Sequence, residues 1–186
     1  MGLIEVLEEI RRESLSRGIP AIDPEDGMVL QALAFHIASS GGDTVIDAGA
    51  GVGYSTAWLA AGLEAGCRSR CRLIAIEYDP GKASRIKGNL NKLGLGRVEV
   101  LVRVGEALEV LKDLGSVDMA FIDIEKYQYP DALEVLKRIL KKGGLAAFHN
   151  AYFPPPPPEF FDAVSRPPWR YTVIPTPAGL LVAYLQ

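Results

Sequence analysis

Polar side chains able to bind metal or exchange protons close two apolar segments in the second half of the chain. Asp123 ends VDMAFID and precedes Lys126 by three residues, while His149 and Asn150 end LAAFHN. Because the carboxyl ends of adjacent parallel strands meet at one edge of a sheet, we expect these side chains to lie together. Asp, His and Asn are plausible ligands for a divalent cation, and His149 could itself be an acid or base. On its spacing alone, Lys126 is better explained as a solvated loop lysine.

A glycine-rich segment, DAGAGVGYS at residues 47–55, follows the apolar run TVI and precedes a helical pattern. Glycines there allow a tight turn and close approach of a ligand to the backbone. A dinucleotide site would place its third glycine at position 54, which is Tyr54. Asp47 would repel a pyrophosphate but suits a cationic ligand, such as the sulfonium and ammonium groups of S-adenosylmethionine (SAM).

A second carboxylate, Glu77, ends the apolar strand RLIAIE, 24 residues after Gly53. An acid at this point can accept hydrogen bonds from both hydroxyls of an adenosine ribose. Asp79 stands before Pro80 and is better explained as a helix N-cap.

These residues must be positioned by alternating strands and helices. Apolar strands separated by helical segments of 10–15 residues predict a parallel sheet covered on both faces. Two further strands, WRYTVIP and LLVAYL, flank a short turn and predict an antiparallel hairpin at the end of the chain. Two helices should precede this core, one at about residues 3–16 and one starting near Asp26 or Gly27.

Composition and charge exclude several classes of protein. The formal net charge is −3, without the basic excess of a nucleic-acid-binding or anionic-membrane-binding protein. The longest stretches without charged residues have 16 residues and contain Gly, Pro or His, so no membrane span is expected. The first ten residues contain acidic but no basic side chains, unlike a secretory or transit signal, and we expect a cytoplasmic protein. Cys67 and Cys71 could be free thiols or a disulfide.

VIDAGAGVGYSTAWLA and IEYDP resemble class I SAM-dependent methyltransferases. GYST, GEALEVL and FIDIEKYQYPDALE further resemble the metal-dependent O-methyltransferases of the catechol and caffeoyl-CoA type, over about residues 19–150. The resemblance implies a Rossmann-like α/β fold, with a doubly wound, mostly parallel seven-stranded sheet and an antiparallel C-terminal hairpin strand. It implies one domain over 1–186, with N-terminal helices at 1–40 and the core at 41–186, and suggests a homodimer.

The resemblance also implies roles for particular residues. The segment Gly105–Ala107 would lie near the adenine, and Lys126 would be the general base. The predicted cofactor site comprises Asp47, Gly49, Gly51, Gly53, Ser55, Glu77, Glu106, Ala107 and Asp123. The predicted catalytic residues are Lys126 and His149, and the predicted metal ligands are Asp123, His149 and Asn150.

One position departs from the resembling family, whose Asp-Asn pair is replaced here by His149-Asn150. An imidazole in place of a carboxylate would shift the preference from Mg²⁺ towards transition metals, or leave a site without metal in which His149 itself exchanges protons.

The sequence therefore predicts a SAM-dependent methyltransferase that methylates a hydroxyl of a small, catechol-like molecule, with or without a divalent metal. A protein that binds SAM or S-adenosylhomocysteine (SAH) without methyl transfer is one alternative. A metal-independent methyltransferase with His149 or Lys126 as base is another. A nicotinamide-dependent oxidoreductase is disfavoured by Tyr54.

Overall fold

A single seven-stranded sheet organises the chain. The computed structural model describes residues 2–186. Its strands are β1 (Thr44–Ala48), β2 (Cys71–Glu77), β3 (Val98–Val104), β4 (Val117–Ile122), β5 (Leu140–Phe148), β6 (Trp169–Ile174) and β7 (Leu180–Leu185). Their order in the sheet is β3-β2-β1-β4-β5-β7-β6, which places the ends of β1 and β4 side by side. The pairs among β1–β5 are parallel, whereas β7 is antiparallel to both β5 and β6, as predicted.

Helices cover both faces of this sheet. They are α1 (Leu3–Ser16), α2 (Pro24–Ser39), α3 (Tyr54–Gly66), α4 (Pro80–Asn91), α5 (Ala107–Lys112), α6 (Tyr129–Ile139) and α7 (Pro158–Val164), with a 3-10 turn at Lys126–Gln128. Side chains of α1–α4 share one hydrophobic core with one face of the sheet, and those of α5–α7 share a second core with the other. The strands are therefore buried on both sides, which explains their near-continuous apolar sequences. No helix within residues 2–186 combines the length and the apolar character needed to cross a bilayer.

The start of α2 differs from the sequence prediction, and local features explain two further helix boundaries. Helix α2 begins at Pro24 rather than near Asp26, because Asp23 is its N-cap and Asp26 completes a reciprocal capping box. Helix α6 ends at Ile139, and the following LKKGG belongs to β5 because Leu140 pairs with Val117. Helix α7 begins at Pro158, the last of five consecutive prolines at 154–158, since proline is favoured in the first turn of a helix.

The two cysteines are joined. A disulfide connects Cys67, immediately after α3, to Cys71, the first residue of β2. Both residues are buried in the core under α3. The bond fixes the short connection through which the chain leaves α3 and enters the sheet.

Asp118 of β4 anchors the beginning of β1. One carboxylate oxygen accepts hydrogen bonds from the backbone N–H groups of Asp43 and Thr44, both at 3.0 Å, and Nζ of Lys141 lies 2.9 Å from the other. Burial opposes ionisation, but the Asp43 N–H, the Lys141 ammonium and the Thr44 N–H outweigh it, so the pKa of Asp118 is lower than usual.

We expect Asp118→Asn to lower the free energy of unfolding at pH 7 by about 1–3 kcal/mol, because a charged acceptor of two backbone bonds is lost. A carboxylate whose pKa is lower in the folded protein stabilises the fold at pH values above its unfolded pKa of about 4. This stabilisation is lost as the pH falls further. The difference from wild type should therefore narrow below pH 4 in urea unfolding experiments. Exposed Asp113→Asn is the matched control, and an equal loss in both variants would contradict this role.

Candidate functional site

A cavity of about 700 Å³ opens at the carboxyl ends of β1, β2, β4 and β5. Its walls bring together most of the predicted residues, which are Gly49, Gly51, Glu77, Glu106, Ala107, Asp123, Lys126, His149 and Asn150. Asp47, Gly53 and Ser55 do not line the cavity, and Asp47 and Ser55 are buried. One cavity thus spans the glycine-rich segment and the polar cluster after β4 and β5.

The glycine-rich turn requires glycine at two of its positions for different reasons. Gly49 has φ +91°, and a Cβ there would clash with the backbone carbonyl oxygen of Asp123. Gly53 has φ +99° and is the N-cap of α3. Since L-residues with a side chain rarely adopt such φ values, the turn can lie against the end of β4 only with glycine.

Glu77 holds the glycine-rich turn from the neighbouring strand. Its two carboxylate oxygens accept hydrogen bonds from the backbone N–H groups of Gly51, at 2.8 Å, and Asp79, at 3.0 Å. The side chain lines the cavity although Glu77 is only 4% exposed. Each carboxylate oxygen has a second lone pair, so Glu77 can also accept hydrogen bonds from a ligand. Asp79 is the N-cap of α4, as the sequence predicted, and accepts a bond from Lys82 N–H.

Asp47 lies beneath the turn and is fully buried. One of its oxygens accepts hydrogen bonds from Oγ of Ser55 and Oγ1 of Thr56, at 2.9 and 2.5 Å. Burial raises the pKa of Asp47 to about 7, against the lowering effect of the two hydroxyls. A positive charge placed above the turn would favour the ionised form of Asp47.

Three hydrogen-bond acceptors surround the ammonium group of Lys126. Its Nζ donates to Oδ1 of Asp123 at 2.8 Å, to the hydroxyl of Tyr129 at 2.9 Å and to the carbonyl of Ile124 at 3.2 Å. Three acceptors match the three N–H bonds of an ammonium group. Tyr129 is buried, and its hydroxyl in turn contacts the carbonyl of Ile122, which ends β4, and that of His149, which follows β5. Lys126 is therefore held as a positive charge at the cavity wall.

His149 lies between two carboxylates. Its Nε2 is 3.2 Å from Oδ2 of Asp26, and its Nδ1 is 3.3 Å from Oδ1 of Asp123 without the alignment of a hydrogen bond. Burial alone would lower the pKa of His149, but Asp123 and Asp26 raise it to about 9. Burial also opposes ionisation of Asp123, yet His149 and Lys126 hold its pKa below the usual value. The two carboxylates therefore favour the protonated form of the His149 ring.

The predicted metal ligands do not fit a metal ion in this arrangement. A metal ligand must direct a lone pair at the ion. Both nitrogens of His149 instead face carboxylates, and Oδ1 of Asp123 accepts a hydrogen bond from the Lys126 ammonium. Asn150 donates to the Phe153 carbonyl through its amide nitrogen, at 2.7 Å, which does not engage its amide oxygen. No group of three or more His, Cys, Asp or Glu side chains suited to a metal occurs within the described part of the chain.

Asp26 belongs to this site although it was not among the site residues predicted from the sequence. It is fully buried, contacts His149 through Oδ2 and accepts a bond from Oγ1 of Thr176 through Oδ1, at 2.5 Å. Asp26 is 123 positions from His149 and 150 positions from Thr176 in the chain. The sequence offers only a weak signal for this role, because Asp26 stands beside Glu25 in the first turn of α2, where acidic residues are favoured in any helix.

Comparison with known proteins identifies the family. A family model described as O-methyltransferase matches residues 3–155. The chain belongs to this O-methyltransferase family. It is 34% identical over 140 residues to a catechol O-methyltransferase from Niastella koreensis, an alignment that covers 72% of this chain and 60% of the relative. It is 30% identical over 148 residues to a putative O-methyltransferase from Mycobacterium marinum, covering 78% of this chain and 63% of the relative. The alignments thus cover less than two thirds of these relatives.

Solved structures share the fold over nearly the whole chain. A methyltransferase from Geobacter sulfurreducens superposes with a TM-score of 0.83 at 25% identity, covering 97% of this chain and 88% of that one. An O-methyltransferase from Bacillus cereus, crystallised in complex with SAH, gives a TM-score of 0.81 at 24% identity, covering 98% and 91%. The predicted Rossmann-like methyltransferase fold is confirmed.

We expect Asp47→Asn to raise the free energy of unfolding at pH 8. Between the unfolded pKa of about 4 and the folded value of about 7, the folded protein binds more protons, so wild-type stability falls as the pH rises through this window. The variant, which cannot ionise, should gain about 1–3 kcal/mol at pH 8 and less at pH 5 in urea unfolding. A gain that is the same at both pH values would contradict the assignment.

Proposed function

We propose that this chain transfers the methyl group of SAM to a hydroxyl oxygen of a small molecule. The carrying observation is the single cavity that joins the Glu77-supported glycine turn to Asp123, Lys126 and His149. The first part has the groups for an adenosine and an amino-acid moiety, and the second has fixed charges suited to an acceptor hydroxyl. The Bacillus cereus O-methyltransferase, which has the same fold and was crystallised with SAH, supports SAM as the methyl donor.

Glu77, Gly105, Glu106 and Ala107 form the proposed adenosine end of the cavity. Glu106 is the N-cap of α5, and Ala107 begins that helix. Gly49 and Gly51 leave the floor without side chains, so the SAM sulfur can approach the backbone near Asp123. Ser55 and Asp47 would act from beneath the turn, with the Asp47 carboxylate favoured by the positive charge of the ligand.

The other end of the cavity, formed by Asp123, Lys126 and His149, is the proposed acceptor end. It must stabilise an ionised oxygen. A phenol has a pKa of about 10 and is a poor nucleophile at pH 7 when protonated. Since Lys126 donates all three of its N–H bonds, we assign it positive charge beside the acceptor oxygen rather than the lone pair of a general base. The imidazolium of His149 would add to this charge. Methyl transfer then forms the C–O bond and breaks the C–S bond, and the acceptor's proton leaves to solvent.

No metal ion is part of this proposal. Nζ of Lys126 and Nδ1 of His149 both lie beside Oδ1 of Asp123, at 2.8 and 3.3 Å, and can supply positive charge there without an ion. A small-molecule acceptor follows from the size of the cavity. The homodimer, the cytoplasmic location and the single domain over 1–186 stay predictions.

Two matched variants test the two ends of the cavity. Glu77→Gln should weaken SAH binding about 10- to 100-fold in calorimetry, because a charged acceptor is lost. Lys126→Met should lower kcat for a catechol at least about 100-fold and leave the SAH dissociation constant within about twofold. Exposed Glu109→Gln should change neither quantity.

SAH binding without turnover of any phenol by wild type would instead favour the alternative of a SAM-binding protein that transfers no methyl group.

A chelator experiment tests the absence of a metal. After dialysis against EDTA, wild-type protein should keep its kcat within about twofold, and added Mg²⁺ or Mn²⁺ should not raise it. Elemental analysis of the protein before dialysis should find less than a stoichiometric amount of divalent ion. A stoichiometric metal whose removal abolishes turnover would show that Asp123, His149 and Asn150 rearrange to bind it.

A further inference from the structure

A buried asparagine holds the glycine-rich turn from outside the cavity. Asn89, on α4, is only 3% exposed, and its Nδ2 donates a hydrogen bond to the carbonyl oxygen of Val52 at 3.0 Å. Val52 stands between Gly51, which lines the cavity, and Gly53, the N-cap of α3. Asn89 itself does not line the cavity, so its effect on a bound ligand must pass through the turn.

The bond restrains the peptide group that joins Val52 to Gly53. The carbonyl of this group accepts from Asn89, and its N–H donates to the carbonyl of Ala50 at 2.8 Å. Gly53 has φ +99°, and glycine has more conformational freedom to lose on folding than any other residue. Hydrogen bonds at both ends of the peptide group therefore hold a turn that its own residues leave flexible.

Helix α1 and Lys92 set the orientation of the Asn89 amide. Oε2 of Glu13 accepts a second hydrogen bond from Nδ2 of Asn89, at 3.0 Å, and Nζ of Lys92 donates to Oδ1 at 3.1 Å. A carboxylate can only accept and an ammonium group can only donate, so these neighbours leave one orientation of the amide. In that orientation the remaining N–H of Nδ2 faces the carbonyl of Val52.

Two arginines keep Glu13 in the carboxylate form. Its Oε1 lies 2.8 Å from Nε of Arg85, on α4, and 3.2 Å from Nε of Arg17, the C-cap of α1. Burial opposes ionisation, but hydrogen bonds from Asn89 and Arg85 and the charges of both arginines hold the pKa of Glu13 below its usual value. A chain of polar contacts thus runs from α1 through Asn89 to the glycine-rich turn.

We propose that Asn89, oriented by Glu13, is a positioning residue that shapes the glycine-rich turn for SAM before SAM binds. This inference rests on the proposed function and gives α1 and α4 a part in binding the methyl donor. Glu77 holds the N–H of Gly51 from the cavity, while Asn89 holds the carbonyl of the next residue from α4. A turn that is already ordered loses less conformational entropy on binding, so Asn89 strengthens SAM binding without contacting the ligand.

Removal of the donor at position 89 tests this role. Asn89→Leu has a similar volume but cannot donate, and we expect it to weaken SAH binding about 5- to 20-fold in calorimetry. KM for SAM should rise by the same factor, whereas kcat at saturating SAM should fall less than about threefold, because bound SAM itself orders the turn. Without ligand, amide hydrogen exchange in residues 49–55 should be faster than in wild type. Asn91→Leu, an exposed change on the same helix, is the control and should alter none of these quantities.

Two variants at position 13 separate the orientation of Asn89 from simple attachment of α1. Glu13→Ala should weaken SAH binding about 3- to 10-fold, because Asn89 loses an acceptor. Glu13→Gln keeps an oxygen for Asn89 but loses the charge that pairs with the arginines, and it should stay within about twofold of wild type. Equal SAH affinities in these two variants would overturn the proposal, and this comparison decides alone if Asn89→Leu does not fold.

All binding is measured at a temperature at which thermal unfolding shows every variant to be folded. If wild type and Asn89→Leu bind SAH equally well, the positioning role is wrong and the proposed function stands. If wild type does not bind SAH, the proposed function fails and this inference fails with it.

Discussion

The close approach of two strand ends is the constraint on which the whole site depends. Where β1 ends, the carbonyl of Ala48 accepts a hydrogen bond from Asp123 N–H at 2.8 Å, and Gly49 then passes directly over the Asp123 carbonyl. Any side chain at position 49 would separate the two. This contact places the proposed methyl donor, bound over the β1 turn, beside the charged group that follows β4, so alignment of donor and acceptor is built into the backbone.

A group of paired charged side chains is the second feature of this site. Asp26 and His149 are buried, and Asp123 and Lys126 beside them are partly buried. Burying charges costs desolvation energy, which pairing offsets. Here the pairing is internal, because two cationic side chains neutralise two carboxylates. The chain itself therefore places cationic side chains beside Asp123, at positions fixed by α2, the end of β4 and the end of β5.

Helix α2 contributes a residue, Asp26, directly to the candidate site. Asp26 reaches His149 after β5 and Thr176 between β6 and β7, so three distant parts of the chain meet at one buried carboxylate. The preceding segment, including Asp23, forms part of the cavity wall. Helix α2 thus does more than cover a face of the sheet. Its Asp26 orients the ring of His149, and its N-cap Asp23 adds negative charge to the cavity wall.

The sequence alone determined the order of strands and helices, the terminal hairpin, the glycine-rich turn, and the places of Glu77, Asp123 and His149 at strand ends. These features follow from local rules, since hydrophobic period, capping residues and glycine spacing act over a few positions. Only the tertiary structure decided that Lys126 is saturated by three acceptors and that Asp26 pairs with His149. The physical reason is that pairing among buried charges depends on distances between residues far apart in the chain, which no local pattern encodes.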